Sequence, residues 1–258
     1  FVLLVGAGLL TKSFLRLTSV DRGFDADGVV AMQVDLRGSR YESAESVQAA
    51  YRDLQETLAA VPGVTAVGSS VVGPFMGGWS NGSVVETDAG EVETNLYRND
   101  VSASYFQVMG IPLIRGRLFG AEEEAHAGRV VVVSQGLEQA YWPGESAIGK
   151  RIRFGRITRE TPWRTVIGVV GDVRRQLSTE PYPTVYGTYG TVDSYYRRRN
   201  VLLETAIPPA AVIAATRDAV ESVDPGLPIA QLNTLEQRVS ESVAGSRVRS
   251  LLMGSLAG

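Results

Sequence analysis

The sequence predicts an α+β domain in which a layer of two βαβ units is interrupted by a β-rich insertion. Three observations support this prediction. The order strand, helix, Pro-Gly, strand occurs near the start of the chain, the same order recurs near its end, and a long segment rich in short strands separates them. Two such units form one sheet with two helices on one face, the split βαβ or ferredoxin-like layer.

The first unit begins with two apolar segments that favour strands. Residues 29–36 and 64–70 are rich in apolar and β-branched side chains. Between them, apolar residues recur every three or four positions, which predicts a helix over residues 43–61 with one buried face. These residues are Val47, Tyr51, Leu54, Leu58 and Val61. Either Ser43 or Ser46 caps the helix, and Pro62-Gly63 ends it.

A similar unit recurs late in the chain. Residues 200–205 and 227–232 predict strands, and residues 208–223 predict a helix that starts with proline. The two helices share the pattern Ala-Ala-x-Arg-Asp, at residues 49–53 and 214–218. This repeat predicts that the two units together form a single layer.

The intervening segment predicts a second, mostly β subdomain inserted into the layer. One short helix, residues 135–142, ends at Pro143-Gly144. The predicted strands cover residues 83–87, 93–99, 130–134, 151–154, 165–173 and 184–188. The chain is therefore divided into residues 1–19, 26–72, 73–195, 196–233 and 234–258.

Both ends of the chain are apolar. Residues 1–10 carry no charge, and residues 251–258 are mostly apolar. A helix needs about 20 apolar residues to cross a bilayer, so each end is predicted to be half of a transmembrane helix. Helical stalks are predicted to connect these halves to the domain, at residues 9–19 and 235–249. The alternative is a pair of buried terminal helices in a soluble protein.

The composition excludes several kinds of site. The chain has no cysteine, which excludes disulfides, thiolate metal sites and a cysteine nucleophile. Its single histidine, His126, lies among small and polar residues and is expected to be an exposed loop residue. The net charge of −3 gives no broad attraction to nucleic acid. We therefore predict no metal, no bound cofactor and no nucleic-acid partner.

Two motifs match catalytic patterns only in part. Residues 144–150 have the spacing of a phosphate-binding loop, but Arg151 replaces the required Ser or Thr and a strand follows instead of a helix. Residues 78–82 match a nucleophile elbow around Ser80, which needs a strand before it and a helix after it. Here a loop precedes a strand. We predict that the domain is not an enzyme, and a serine hydrolase based on Ser80 and His126 is the enzymatic alternative.

Apolar side chains in two loops are the candidate partner-binding residues. Phe75, Met76 and Trp79 lie in a glycine-rich loop, and Tyr195 and Tyr196 lie in a second loop. An exposed apolar cluster suggests a binding surface, so burial of Phe75 and Trp79 would remove this candidate.

Charged runs and the remaining aromatic pair receive structural interpretations. The acidic run at residues 122–124 and the arginine run at residues 197–199 are interpreted as exposed loops. Tyr141 and Trp142, just before a Pro-Gly turn, are predicted to pack in a core.

Several short segments, in order along nearly the whole chain, together resemble one family. They are residues 8–14, 21–25, 101–106, 109–113, 115–119, 141–144, 148–152, 166–174 and 235–239. The chain resembles the periplasmic core domain of MacB-like, FtsX-type ABC transporter permeases, in particular the duplicated permeases first noted in acidobacteria.

The resemblance implies a fold, a location and a mechanism. It implies a porter-like βαβ subdomain with an inserted Sabre-like subdomain, on the periplasmic side of the bacterial inner membrane. ATP would bind a separate cytoplasmic ATPase domain or chain, and the domain would transmit the resulting motion outward, which is called mechanotransmission. The implied partners are this ATPase, a second permease copy, and a periplasmic adaptor or cargo.

Two alternatives stay open at this point. Basic residues flank both predicted anchors, and the positive-inside tendency alone would place the domain in the cytoplasm. That tendency weakens for long domains, so sidedness rests on the resemblance. A small-molecule sensor domain of a membrane signalling protein is the alternative function.

Overall fold

The computed structural model describes residues 22–73, 80–120, 122–123, 129–155, 157–158, 160–174, 181–189 and 196–241. Within them the chain forms two β-sheets with helices packed on them, which confirms the predicted mixture of strands and helices. The predicted segment 1–19 and residues 242–258 lie outside the described residues.

The first sheet combines strands from both βαβ units. The elements of these units are β1 (Val29–Asp35), α1 (Ala44–Ala59), β2 (Val64–Ser70), β10 (Arg198–Thr205), α4 (Pro209–Val223) and β11 (Ile229–Thr234). The strands follow the order β11-β1-β10-β2, and each neighbouring pair is antiparallel. The two units are therefore interleaved, which is the arrangement of a split βαβ layer.

The start of α1 resolves the choice between two capping residues. The Ser43 side chain accepts a hydrogen bond from the Ser46 amide, and the Ser46 side chain accepts one from the Ser43 amide. This reciprocal pair satisfies two amides that have no partner within the helix. Ser43 is thus the N-cap, and Ser46 completes the capping box.

Both helices cover one face of the first sheet. Val30 of β1 and Val201 of β10 point toward the helices and are fully buried. The predicted apolar stripe of α1 packs against them through Val47, Tyr51, Leu54 and Leu58. We call this apolar cluster the helix core.

The second sheet contains the strands between β2 and β10. They are β3 (Ser80–Thr87), β4 (Gly90–Asp100), β5 (Leu113–Gly116), β6 (Val130–Ser134), β7 (Arg151–Phe154), β8 (Arg164–Val170) and β9 (Thr184–Gly187). The order is β5-β8-β6-β9-β4-β3-β7, and β7 also pairs with β8. Six of the strands therefore close into a barrel. Its core includes Trp142, which is 2% exposed as predicted, at the end of α3 (Gln135–Tyr141).

A third apolar cluster joins the two sheets. Val29 and Ala31 of β1 and Leu202 of β10 point away from the helices and pack against residues of the second sheet, including Tyr186. A short helix, α2 (Tyr105–Val108), contributes Phe106 to the same cluster. We call this cluster the junction core. The first sheet is consequently covered on both faces.

Besides the 3-10 helix Ser39–Tyr41, two short elements were not predicted. α2 has only four residues, and β5 has four residues that are all exposed, so neither shows an apolar period. Several predicted strand ends also differ by a few residues from the observed ones, because hydrogen-bonded pairing rather than composition decides where each strand stops. For example, β8 ends at Val170 and β11 extends to Thr234.

Candidate functional site

The chain comes into the domain along a segment held by the inserted subdomain. We call residues 22–28 the incoming segment. The Arg174 amide donates a hydrogen bond to the Arg22 carbonyl at 3.0 Å, and the Asp25 amide donates one to the Met109 carbonyl at 2.9 Å. Gly23 has a φ of 74°, and a Cβ at this position would overlap the carbonyl oxygen of Asp172. Glycine permits both the conformation and the close approach.

The chain leaves the first sheet through a helix that begins directly after β11. We call its described residues, 235–241, the outgoing helix. The Gln237 amide donates to the Thr234 side chain, and the Gln237 side chain accepts from the Thr234 amide, each at 3.2 Å. These bonds form a capping box, so the helix has a fixed starting point.

Both segments pack into the junction core. Leu235 is fully buried and Val239 is 5% exposed, and both belong to the cluster that contains Ala26. Phe24 packs against the same cluster. A displacement of either segment therefore acts on side chains shared by both sheets, because closely packed interiors transmit strain.

Arg238 fastens the outgoing helix to β11. Its Nε donates a hydrogen bond to Asn233 Oδ1 at 2.8 Å, and its Nη2 donates to the carbonyl oxygen of Gln231. Gln231 has a φ of 55° at an irregularity in the pairing of β1 with β11. The arginine thus binds the strand where its backbone is strained.

Burial lowers the pKa of this arginine without removing its charge at neutral pH. Arg238 is 8% exposed, and burial lowers the pKa of its guanidinium to about 10, since a buried charge loses hydration. The group stays charged at neutral pH and its donors remain available to Asn233 and Gln231.

Most candidate partner-binding residues fall outside the described part of the chain. This holds for Phe75, Met76, Trp79 and Tyr195. Tyr196 is described and is half-buried. Their role in binding a partner stays a prediction.

The phosphate-loop spacing belongs to a turn between α3 and β7. The Lys150 ammonium lies 2.7 Å from a carboxylate oxygen of Asp88 and 2.8 Å from one of Glu145. The Gly149 amide donates to the Val166 carbonyl, so it serves the sheet rather than a phosphate. This geometry agrees with the prediction that the motif is structural.

Ser80 and Glu123 of the acidic run also form contacts that stabilise the fold. Ser80 is the first residue of β3 and pairs with Tyr97 of β4, so no helix follows it as an elbow requires. Glu123 accepts hydrogen bonds from Arg117 at 2.6 Å and from the Gly120 amide at 2.7 Å. His126 lies outside the described residues.

The interpretation of residues 197–199 as an exposed loop is wrong for most of the run. Arg198 and Arg199 belong to β10. Arg198 forms an ion pair with Asp35 at 3.0 Å, and Arg199 is only 6% exposed. Pairing with β1 places these arginines in the sheet, and the long-range partners that accommodate them cannot be read from composition.

The hydrogen bonds from Arg238 to β11 were also not predicted from the sequence. The Thr-x-x-Gln spacing at residues 234–237 is a readable signal for a helix start. The left-handed conformation of Gln231 has no such signal, because it arises from the bulge in the sheet.

The described residues contain neither a cluster of metal ligands nor a helix suited to a membrane. No group of three or more acidic or histidine side chains among them is arranged to hold a metal ion. No helix within the described ranges combines the length and the apolar content that a bilayer crossing requires.

The described residues define a two-sheet domain of α-helices and β-strands whose incoming segment and outgoing helix pack into one apolar core. Residues 1–223 match the family described as MacB-like periplasmic core domain. The chain belongs to this family.

Two individual relatives and a solved structure are consistent with membership of this family. The chain is 32% identical over 115 residues to the macrolide export ATP-binding/permease protein MacB of Aggregatibacter actinomycetemcomitans, covering 44% of the chain and 16% of that protein. It is 26% identical over 156 residues to the protein of the same name from Rhodopseudomonas palustris, covering 60% of the chain and 22% of that protein. The chain thus matches only a small part of each relative.

One solved structure of similar fold is the periplasmic region of MacB from Actinobacillus actinomycetemcomitans. It superimposes with a TM-score of 0.56 at 17% identity and covers 87% of the chain and 98% of that structure. At this identity the likeness concerns the fold.

Proposed function

We propose that this domain is the periplasmic part of an ABC transporter permease subunit and that it transmits ATP-driven motion without catalysing a reaction. Its family and the names of its relatives, which are export ATP-binding/permease proteins, support the transporter assignment. The sensor alternative has no support among these relatives.

The observation that carries the mechanical part of the proposal is the shared junction core. The incoming segment and the outgoing helix both contribute side chains to it, as do both sheets. A domain that only tethered other parts would not need its two connections packed into one core. A rigid, packed unit transmits displacement, whereas a flexible connection dissipates it.

The proposal assigns roles to the parts of the domain. Residues 26–72 and 196–233 form the porter-like subdomain, and residues 73–195 form the Sabre-like insertion. Residues 1–19 and 234–258 continue as stalks into transmembrane helices in the bacterial inner membrane. A cytoplasmic ABC ATPase supplies the motion, the permease acts as a dimer, and the insertion contacts a periplasmic adaptor or cargo.

The test is to measure motion of the domain in the intact transporter. The full permease and its ATPase are reconstituted in lipid nanodiscs, and a dye is attached to Glu221→Cys on α4 or, in a second sample, to Glu93→Cys on β4. Both positions are exposed, and this chain has no cysteine of its own. Energy transfer to acceptor lipids reports the distance of each dye from the membrane.

ATP is expected to change both distances together, as for one rigid body, and an ATPase variant that cannot bind nucleotide should abolish the change. Identical energy transfer with and without ATP at both positions contradicts the proposal.

A further inference from the structure

A cleft beside α1 has a lining unlike that of the junction core. Its volume is about 630 Å³, within the range of about 300–1,000 Å³ typical of small-molecule sites. One wall is the flank of α1, with Gln48, Arg52 and Gln55, and the opposite side includes Ser104 of the insertion. The cleft thus lies where the first sheet meets the inserted subdomain.

The floor of the cleft is an arginine held between two tyrosines. The guanidinium carbon of Arg199 lies 4.0 Å from the ring centre of Tyr51 and 3.7 Å from that of Tyr189. The Tyr51 hydroxyl donates to the Arg197 carbonyl at 2.8 Å, and the Tyr189 hydroxyl donates to Ser69 Oγ at 3.0 Å. Both rings are therefore fixed, and stacking on both faces fixes the plane of the guanidinium.

The charges of the lining favour an anion. Arg52 and Arg199 carry two positive charges, and Glu56 is the one acidic residue among the lining side chains of the described chain. Both phenols are neutral at pH 7 and do not repel an anion, because the ordinary pKa of tyrosine is about 10 and burial raises the pKa of Tyr51 and of Tyr189 further.

The remaining surface favours a ligand with an apolar body and an amide. The tyrosine rings, Val67 and Ala59 offer apolar surface, and the side-chain amides of Gln48 and Gln55 both donate and accept hydrogen bonds. A planar guanidinium matches the geometry of a carboxylate.

We propose that this cleft is a binding site for a small organic carboxylate with an apolar body, in addition to the mechanical role proposed above. The first sheet with its helix and the insertion both contribute to the site. Arg52 comes from α1, Arg199 comes from β10, and Ser104 and Tyr189 come from the insertion. Occupancy would bridge the first sheet and the insertion. This inference depends on the cleft alone and is independent of the proposed function.

The test uses N-acetylphenylalanine as the probe and its carboxamide as the matched control. The two differ in charge and share the ring and the acetamide. Binding to the full chain is followed by NMR, using the ring signals of Tyr51 and Tyr189. A probe of this size is expected to bind with a Kd of about 1 mM, and the carboxamide about tenfold more weakly.

Variants distinguish the cleft from general attraction to arginine. Arg52→Gln should weaken binding of the carboxylate several-fold, and Arg199→Lys, which keeps the charge and loses the planar fork, should weaken it at least as much. Arg217→Gln is the control, since Arg217 occupies the corresponding place in α4 and is exposed outside the cleft. It should bind like the wild type.

Three results would overturn the proposal. One is the absence of signal changes at the two tyrosines up to about ten times the expected Kd. Another is equal affinity for the carboxylate and the carboxamide. The third is an unchanged affinity in Arg52→Gln, whose exposed side chain can be replaced without loss of the fold, as thermal unfolding of the variant will verify.

Discussion

Removal of one leucine from the junction core should impair motion transfer more than it impairs folding. Leu235 is fully buried in the junction core, and Leu54 is 1% exposed in the helix core. Both lie on helices, and Leu→Ala in a core costs about 2–5 kcal/mol. Leu235→Ala and Leu54→Ala should therefore lower the free energy of unfolding by similar amounts, about 3 kcal/mol each.

The consequences for coupling should differ between the two variants. Domains have a free energy of unfolding of about 5–15 kcal/mol, so both variants are expected to stay folded. In Leu235→Ala the outgoing helix keeps only Val239 of its two buried side chains in the junction core, whereas Leu54→Ala leaves both in place.

Urea unfolding and the energy-transfer measurement described above separate the two effects. Urea unfolding followed by tryptophan fluorescence should give equal losses of stability. The ATP-dependent distance change should be reduced in Leu235→Ala and retained in Leu54→Ala. Equal distance changes in two equally destabilised variants would refute the assignment of coupling to the junction core.

Three smaller predictions concern single contacts. The Tyr41 hydroxyl donates a hydrogen bond to Asp224, and this bond lowers the pKa of that carboxyl. Tyr41→Phe removes the bond and should lower the free energy of unfolding by about 1 kcal/mol at pH 7. Because the pKa of Asp224 is lowered on folding, this contribution is present above its ordinary pKa and is lost as the pH falls through the folded value. An equal loss in urea unfolding at pH 7 and pH 2 would contradict it. The melting temperature of Lys150→Met should not respond to ATP, and neither should that of the wild type. If ATP instead raised the melting temperature of the wild type and not that of the variant, the phosphate-loop interpretation would be restored. Gln231→Gly should change stability by less than about 1 kcal/mol, since relief of strain offsets the greater entropy of the unfolded chain, whereas Gln231→Val should cost more. Equal unfolding energies for these two variants would show that the left-handed backbone carries no strain.

Local patterns were enough to predict the layer. The apolar stripe from Val47 to Leu58 and the strands on either side of α1 follow from periodicity, and the repeat late in the chain predicted that the two βαβ units share one sheet. Pro-Gly pairs marked the ends of α1 and α3 because proline cannot continue a helix.

Features that depend on tertiary contacts escaped prediction. The sequence gives no sign that Arg199 lies between two tyrosines, because Tyr51 and Tyr189 are distant in the chain and are brought together by the sheet pairing. The same reason explains the error over residues 197–199, where a run of three cations resembles a solvated loop in composition alone.

The double coverage of the first sheet limits how such domains can diversify. Ala31 and Leu202 are fully buried beneath the insertion, so a layer produced without it would present an apolar face to water and tend to aggregate. Exchanging the insertion between relatives should therefore require matched substitutions on the underlying strands. Lineages that alter one surface are expected to alter the other with it.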